Sequence, residues 1–194
     1  MSHLLPLFVT LAGRRVVLVG GGPVAAAKLQ QLLPTGADVI VVAPEICDAI
    51  AKSGRTPFRI VQRAFLPADL DEAWLVVAAA TPTVNRDVAR AAEARRIFVN
   101  AVDDPANATA FLSGVVRREG VTIAISTDGA APALTSLLRQ ALDAVLPTDL
   151  PLWVAKARRL RIDWRREGTP IGQRRPLLLQ ALNALYPASE DSRQ

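Results

Sequence analysis

Reactive and metal-binding side chains are scarce in this sequence. Its 194 residues include one cysteine, Cys47, and one histidine, His3. A single cysteine excludes an internal disulfide framework and a Cys-rich zinc or iron–sulfur site. A single histidine excludes a His-based metal cage and a His-centred catalytic triad, so we expect no resident metal site.

Long hydrophobic runs are also missing, since none reaches the ~18 residues that a membrane-spanning helix needs. The composition, 51% hydrophobic and 21% charged, is ordinary for a globular chain and unlike a disordered one. Arg14 and Arg15 precede an apolar stretch, Val16–Ala27, which superficially resembles a twin-arginine export signal. Because Gly20–Pro23 interrupts that stretch, we expect a cytoplasmic protein with no membrane partner.

Charge is distributed unevenly along the chain. Residues 1–150 carry 14 basic and 14 acidic side chains, whereas residues 151–194 carry nine basic and four acidic ones. Arginine accounts for 20 of the 23 basic residues, and its planar fork suits carboxylate or phosphate partners. The C-terminal segment therefore either faces an anionic partner or presents a solvated helix surface, and composition leaves both alternatives open.

The first half of the chain alternates between buried-strand runs and helical periodicity. Strand, helix and strand in repetition, with short connections, predict an α/β fold with a Rossmann-type parallel sheet. The predicted strands are Val16–Val19, Val39–Val42, Phe58–Val61, Trp74–Ala79 and Ile97–Val102, and the predicted helices are Pro23–Leu33 and Thr83–Ala94.

The pattern changes after residue 105. Two strands and then helices predict a small α+β segment and a helical C-terminal domain. These strands are Phe111–Val116 and Val121–Ile125, and the helices are Pro132–Leu146, Leu152–Arg166 and Arg174–Leu185. The apolar stripe from Leu134 to Leu146 is too apolar for a lone exposed helix. We expect it to be buried in a homodimer, the alternative being packing against its own Rossmann domain.

The motif Gly20-Gly21-Gly22-Pro23-Val24-Ala25 fits G-x-G-x-x-A at the first strand–helix junction, as a dinucleotide fingerprint requires. Gly20 suits the tight turn, and Gly22 allows the backbone to approach a pyrophosphate at the helix N-terminus. Pro23 and Val24 begin that helix. The alternative is a glycine turn without a ligand.

The acidic residue that usually holds the ribose of such a cofactor is missing from the end of the second strand. Ala43 and Pro44 occupy that place, and Glu45 follows slightly further along the chain than the usual acidic residue. No arginine stands there to bind the 2′-phosphate of NADP. We therefore expect NAD rather than NADP, with the ribose held by Glu45 or by the backbone near Ala43 and Pro44. Small residues ending in Ala80 and Thr81 close the fourth predicted strand, where they either leave room for the cofactor or pack tightly at the strand end.

Asp103 follows the last strand of the predicted sheet, at the edge where the nicotinamide would lie. A carboxylate there can exchange a proton beside hydride transfer, although a turn or cap aspartate is equally compatible with the position. Ser126 and Thr127 lie between a strand and the amphipathic helix. Most such links are turns, although the hydroxyls here could also meet an anionic ligand.

Together these motifs resemble the siroheme synthase N-terminal family, the precorrin-2 dehydrogenases, some of which are also sirohydrochlorin ferrochelatases. The matching residues, in chain order, are Leu5–Phe8, Val17–Ala25, Lys28, Ala78–Thr81, Val84–Asn85, Ala91–Glu93, Phe98–Asp103, Ala110–Phe111, Ile125–Leu134 and Leu138–Arg139. Of these, Phe98–Asp103 and Ile125–Leu134 are the segments most specific to the family.

The resemblance implies NAD-dependent dehydrogenation of precorrin-2 to sirohydrochlorin by a homodimer. It implies a Rossmann domain over residues 1–110, a dimerisation segment over 111–147 and a helical domain over 148–194. Asp103 matches the essential aspartate of the family, while Pro23-Val24 and Pro44-Glu45 match its cofactor contacts. Thr127 replaces a common serine, and Asp128 replaces a common glycine, which puts phosphoregulation in doubt.

The resemblance also explains the charge distribution, because precorrin-2 is a polycarboxylate. We expect substrate contacts from Asn100, Ser126, Thr127, Arg158 and Arg161. The resemblance leaves open whether the protein also inserts iron, with ferrous iron as a second substrate. The alternative function is a non-catalytic nucleotide-sensing Rossmann module. A nucleic-acid partner is not expected, because the basic segment lacks interleaved aromatic residues and a helix-turn-helix pattern.

Overall fold

The computed structural model describes residues 4–53, 58–112 and 114–186. The chain forms two compact units, Met1–Leu112 with Asp128–Ala131, and Ser113–Thr127 with Pro132–Gln194. His3, and Ser113 in a predicted strand, lie outside the described residues. The three-part division expected from the sequence stays a prediction.

The first unit is built on a parallel sheet with helices on both faces. Its elements are β1 (Arg15–Val19), α1 (Pro23–Leu32), β2 (Asp38–Val42), α2 (Asp48–Ala51), β3 (Arg59–Val61), β4 (Leu75–Ala78), α3 (Pro82–Arg95) and β5 (Phe98–Ala101). The five strands lie in the order β3-β2-β1-β4-β5. This order confirms the predicted Rossmann-type fold, and it puts the topological switch point, where such sheets bind ligands, between β1 and β4.

Two hydrophobic layers cover the two faces of this sheet. One layer joins α1, through Ala25 and Leu29, to Leu18 and Val77 and extends to Val102 beyond β5. The other packs α3 against the opposite face of the sheet. Because successive strand residues alternate between faces, Asn100 of β5 lies on the same face as Val102 and α1.

The outer edge of β5 is covered by the chain that follows it. The backbone N–H groups of Thr109 and Ala110 donate to the Val99 carbonyl, at 2.8 and 2.9 Å. The Val99 N–H in turn donates to the Thr109 hydroxyl at 2.9 Å. These bonds satisfy an edge strand that would otherwise expose its backbone polar groups.

The second unit consists of a hairpin and three helices. They are β6 (Gly114–Arg118), β7 (Val121–Ile125), α4 (Pro132–Val145), α5 (Leu150–Arg166) and α6 (Ile171–Asn183), and the two strands are antiparallel. Helix α4 lies on β6, where Arg118 forms a 3.2 Å ion pair with Asp143. Among the described residues, no helix is long and apolar enough to cross a membrane.

Some element boundaries differ from the sequence predictions. The strand β6 begins at Gly114 rather than Phe111, because Leu112 packs against the hydrophobic layer of the first unit. Helix α5 begins at Leu150, since Pro151 occupies its first turn, where no N–H is required. Helix α6 begins at Ile171 and contains Pro176.

Candidate dinucleotide site and Asp103 loop

The glycine turn after β1 lies at the topological switch point. Gly20 has a φ of +131°, a conformation that side chains rarely allow. A Cβ on Gly20 would overlap the carbonyl group of Ala79, and one on Gly21 would overlap that of Glu45. These two glycines are therefore required by the close approach of the chain after β4 and after β2.

Gly22 differs from both neighbours, because no atom lies within 4 Å of a Cβ placed there. Gly22 is the N-cap of α1, and no side chain caps the helix. Pro23 and Val24 of the first turn are exposed. The result is open space at a helix N-terminus with uncapped N–H groups, which fits the pyrophosphate of a dinucleotide.

At the end of β2, backbone groups rather than a carboxylate side chain are available to hold a ribose. The Ala43 N–H donates to the Val61 carbonyl at 3.3 Å, and the Cys47 N–H donates to the Gly21 carbonyl at 2.8 Å. Pro44 and Glu45, between them, are exposed. The chain from Ala43 to Cys47 is therefore hydrogen-bonded both to β3 and to the glycine turn.

An arginine does follow the neighbouring strand, but it has a partner. The guanidinium of Arg63, just after β3, donates to both carboxylate oxygens of Asp69. The pKa of Asp69 is lowered, first by this hydrogen bond and then by the 2.8 Å bond from the Leu66 N–H. With its guanidinium engaged in this way, Arg63 is not a free cation for a 2′-phosphate, which favours NAD.

The chain after β4 is held by a buried asparagine. Asn85 of α3 is 4% exposed, and its Oδ1 accepts the Ala80 N–H at 3.0 Å. The Asn85 N–H donates to the Thr81 carbonyl at 2.9 Å, which starts the helix. Asn85 thus fixes Ala80 and Thr81 at the carboxyl edge of the sheet, opposite the glycine turn.

Asp103 lies at this same edge. The N–H of Val102 donates to the Ala78 carbonyl at the end of β4, at 2.9 Å. Asp103 comes next, exposed and with a φ of +56°. Its carboxylate makes no hydrogen bond with a described residue, whereas the Asp104 carboxylate accepts the Asn107 amide at 2.7 Å. The Asp104 carboxylate therefore stabilises the turn, whereas the Asp103 carboxylate is open to a ligand.

A second loop packs beside Asp103. Asp128 and Gly129 both have positive φ, +54° and +76°. A Cβ on Gly129 would lie 3.2 Å from the Pro105 side chain and 3.3 Å from the Phe111 ring. The segment that follows Thr127 therefore rests against the turn that follows Asp103, within the first unit.

Asn100 carries an unsatisfied oxygen near this loop. It is 6% exposed, and its Nδ2 donates to the Ala110 carbonyl at 2.9 Å. Its Oδ1 is buried and has no hydrogen-bond partner among the described residues. Buried polar atoms usually have one, so the Asn100 oxygen is an exception, although it is enclosed by the protein rather than exposed at the edge of the sheet.

The other predicted substrate residues lie in the second unit. The Thr127 hydroxyl is 2.9 Å from the Thr135 hydroxyl of α4, and the neighbouring Ser126 is exposed. Arg158 and Arg161 are exposed on α5 and form no ion pair with any described residue. No group of three or more His, Cys, Asp or Glu side chains in the described part of the chain could hold a metal ion.

Comparison with known proteins agrees with this arrangement. Residues 7–114, more than half of the chain, match a family described as putative NAD(P)-binding. Residues 118–144 match the family described as sirohaem biosynthesis protein central. The chain belongs to the siroheme synthase N-terminal family.

Curated relatives in this family are longer than the chain. Siroheme synthase 2 of Klebsiella pneumoniae subsp. pneumoniae is 38% identical over 177 residues, which are 90% of this chain and 38% of the relative. Siroheme synthase of Photorhabdus laumondii subsp. laumondii is 39% identical over 184 residues, 94% of this chain and 39% of the relative. The chain thus spans about two fifths of their length.

A solved structure of similar length has the same fold. The chain named SirC, precorrin-2 dehydrogenase, superposes with a TM-score of 0.70 at 25% sequence identity. The superposition covers 91% of this chain and 88% of that one. The structural similarity therefore covers most of the chain and not the parallel sheet alone.

Two features of this site have roles that the sequence alone does not predict. Asn85 belongs to the family resemblance without an assigned role, and the Arg63–Asp69 pair belongs to no motif. Asn85 has no local signal for its role, because it lies inside α3 and meets Ala80 only through the fold of the turn after β4. The Arg63–Asp69 pair has no such signal, because two residues six apart in a loop need not meet.

Proposed function

We propose that the protein dehydrogenates precorrin-2 to sirohydrochlorin, with NAD as the oxidant, in siroheme biosynthesis. The observation that carries the proposal is the Asp103 carboxylate, which is exposed and without a hydrogen-bond partner among the described residues, at the same edge of the sheet as the open glycine turn. The likeness to SirC, precorrin-2 dehydrogenase, supports the same reaction.

In this proposal the residues near the switch point bind the cofactor. Gly20 and Gly22 allow its approach, the N–H groups around Pro23 and Val24 face the pyrophosphate, and the chain at Ala43, Pro44 and Glu45 holds the ribose. Ala80 and Thr81 border the nicotinamide side. When bound, NAD supplies the acceptor for the hydride that the substrate loses.

Asp103 acts as the base of the reaction. The substrate loses a hydride and a proton, and the exposed Asp103 carboxylate takes the proton as the ring conjugation extends. Asn100, in the strand β5 that leads to Asp103, is a further proposed substrate contact. Ser126, Thr127, Arg158 and Arg161 contact the polar groups of the substrate, with the arginines suited to its carboxylates.

We further propose that the protein is a cytoplasmic homodimer. Leu134, Leu137 and Val145 of α4 are 47%, 60% and 73% exposed, which is a large apolar surface for one helix. A second copy of the chain would cover it in an isologous contact. Iron insertion into sirohydrochlorin is a second activity of the same site, with ferrous iron as substrate.

The deciding experiment mixes the purified protein with precorrin-2 and NAD under anaerobic conditions and follows the absorbance, with and without ferrous ions. Formation of sirohydrochlorin only when NAD is present is the expected result. Tight NAD binding without turnover would instead favour a nucleotide-sensing module. Replacing NAD by NADP, which we expect to bind more weakly, tests the cofactor assignment.

A further inference from the structure

The two buried polar side chains in the described part of the chain, Asn85 and Asn100, differ in the atom that each leaves free. Asn100 donates its Nδ2 to the Ala110 carbonyl at 2.9 Å, and its free Oδ1 is fully enclosed by the protein. Asn85 accepts the Ala80 N–H at its Oδ1, at 3.0 Å, which leaves its Nδ2 free. This nitrogen forms no hydrogen bond with a described residue, yet it is not fully enclosed.

The partner of Asn85 determines which way its amide is turned. A backbone N–H is a donor, so the atom that faces Ala80 is the oxygen, and the nitrogen is the atom left over. Because Asn85 is only 4% exposed, water reaches little of this side chain. A donor that is neither hydrogen-bonded nor well solvated is unfavourable, and an oxygen of a ligand would satisfy it.

The Asn85 amide lies at the carboxyl edge of the sheet, next to the glycine turn. A Cβ on Gly20 would overlap the Ala79 carbonyl, so the glycine turn and the turn after β4 are in contact. Asn85 holds the next residue of that turn, Ala80, and the two atoms of its amide are bonded to one carbon. The free Nδ2 therefore lies beside the topological switch point, where sheets of this order bind their ligands.

We propose that Asn85 donates a hydrogen bond from Nδ2 to an oxygen of the bound NAD, while its Oδ1 holds the turn that borders the cofactor. The inference rests on the proposed function, because it requires a dinucleotide at the switch point. NAD carries suitable acceptors in its phosphates, ribose hydroxyls and carboxamide. One buried side chain thus connects the shape of the turn to the binding of the cofactor.

Asn85→Asp is the variant that separates the two amide atoms. It keeps the shape and an acceptor for the Ala80 N–H, and at neutral pH it replaces the donor by a carboxylate oxygen. The backbone N–H and the N-terminal end of α3 favour the ionised form. We expect the NAD dissociation constant, from calorimetric titration of the full chain without substrate, to rise at least about tenfold. Repulsion of the pyrophosphate would add to this loss only if the carboxylate faces the cofactor.

Two further variants separate cofactor binding from stability. Asn85→Leu removes both amide functions and should bind NAD no more tightly than Asn85→Asp. Val88→Ala is the matched control, since Val88 is fully buried in the same helix, three residues further along. It should lower the temperature of thermal unfolding and leave the NAD dissociation constant unchanged.

Wild-type NAD affinity in Asn85→Asp would overturn the proposal, because holding the turn would then be the whole role of the side chain. An equal loss of affinity in Val88→Ala would also overturn it, because affinity would then follow stability. If Asn85→Asp does not fold, the comparison of Asn85→Leu with Val88→Ala decides. A wild-type chain that binds no NAD would instead contradict the proposed cofactor.

Discussion

The two units of the chain bury their hydrophobic residues to very different extents. In the first unit, Val16, Val17 and Leu18 of the central strand are 0% exposed, because sheet and helices cover one another. In the second unit, Val116, Leu150 and Trp164 are the buried hydrophobic side chains among the described residues. The first unit thus holds its fold by its own core, whereas the second leaves apolar and arginine side chains available to partners.

This difference predicts where substitutions act. In the first unit, the proposed functional groups are a few polar or glycine positions at the edge of a well-packed sheet, so single changes should remove one step and spare the fold. In the second unit, function should depend on surfaces, so changes should alter association or substrate affinity.

Asp103→Asn should have the largest effect, because it keeps the shape of the side chain and removes the base. Turnover of precorrin-2 should fall by ~10²–10⁴, the usual contribution of a general base, while the NAD dissociation constant stays the same. Asp104→Asn is the control, since that carboxylate serves a turn. Near-normal turnover in Asp103→Asn would show that Asp103 serves the turn and not the reaction.

Gly22→Val should separate binding from folding in the first unit. The space around Gly22 accepts the side chain, so thermal unfolding should change little while NAD affinity falls by about 100-fold or more. Gly21→Ala is the contrasting variant, because its Cβ would overlap the Glu45 backbone, and such overpacking costs about 1–3 kcal/mol of unfolding free energy. Calorimetry measures both quantities. Wild-type NAD affinity in Gly22→Val would exclude the pyrophosphate from this turn.

The sequence predicts the structure best where the hydrophobic periodicity is strong. The buried runs of β1, β2 and β4 predicted a parallel sheet, and the glycine motif and Asp103 were found at its edge. Boundaries were missed where neighbouring packing decides them, as at Phe111, or where proline is tolerated, as at Pro151. Contacts such as Asn85 with Ala80 depend on tertiary geometry, which periodicity does not contain.

Leu137→Glu tests the exposed face of the second unit. If α4 is the dimer contact, a buried charge at this position should raise the dimer dissociation constant about 100-fold, as an unpaired interfacial charge does. Gln140→Glu adds the same charge to an exposed polar position of the helix and is the control. Sedimentation velocity measures both. A wild-type chain that is a monomer at micromolar concentration would contradict the dimer.

Changing Arg158 and Arg161 together to Gln tests the basic surface of α5. The KM for precorrin-2 should rise about tenfold through loss of charged hydrogen bonds, with NAD affinity unchanged. The matched control changes Arg165 and Arg166 to Gln, since Arg166 is already paired with Asp163 at 3.1 Å. An unchanged KM in the first variant would assign the basic surface to solubility or to another partner.

The smallest effect is expected for Asp69→Asn, which breaks a contact that stabilises a loop of the first unit. The Asp69 carboxylate is 11% exposed, and it accepts bonds from Arg63 and from the Leu66 N–H. The amide keeps the shape and one acceptor but loses the charged pair. The variant should lose about 1 kcal/mol of unfolding free energy at pH 7, typical of a lost cap or charged hydrogen bond.

The pH dependence identifies the cause of this loss. Because the pKa of Asp69 is lowered in the folded chain, its contribution is present above the unfolded pKa of about 3.9 and disappears as the pH falls through the folded value. The difference between wild type and Asp69→Asn should therefore be constant near neutrality and shrink below pH about 4. Urea unfolding across this range measures it. A difference that persists undiminished at the lowest pH would show that packing, rather than the carboxylate charge, stabilises the loop.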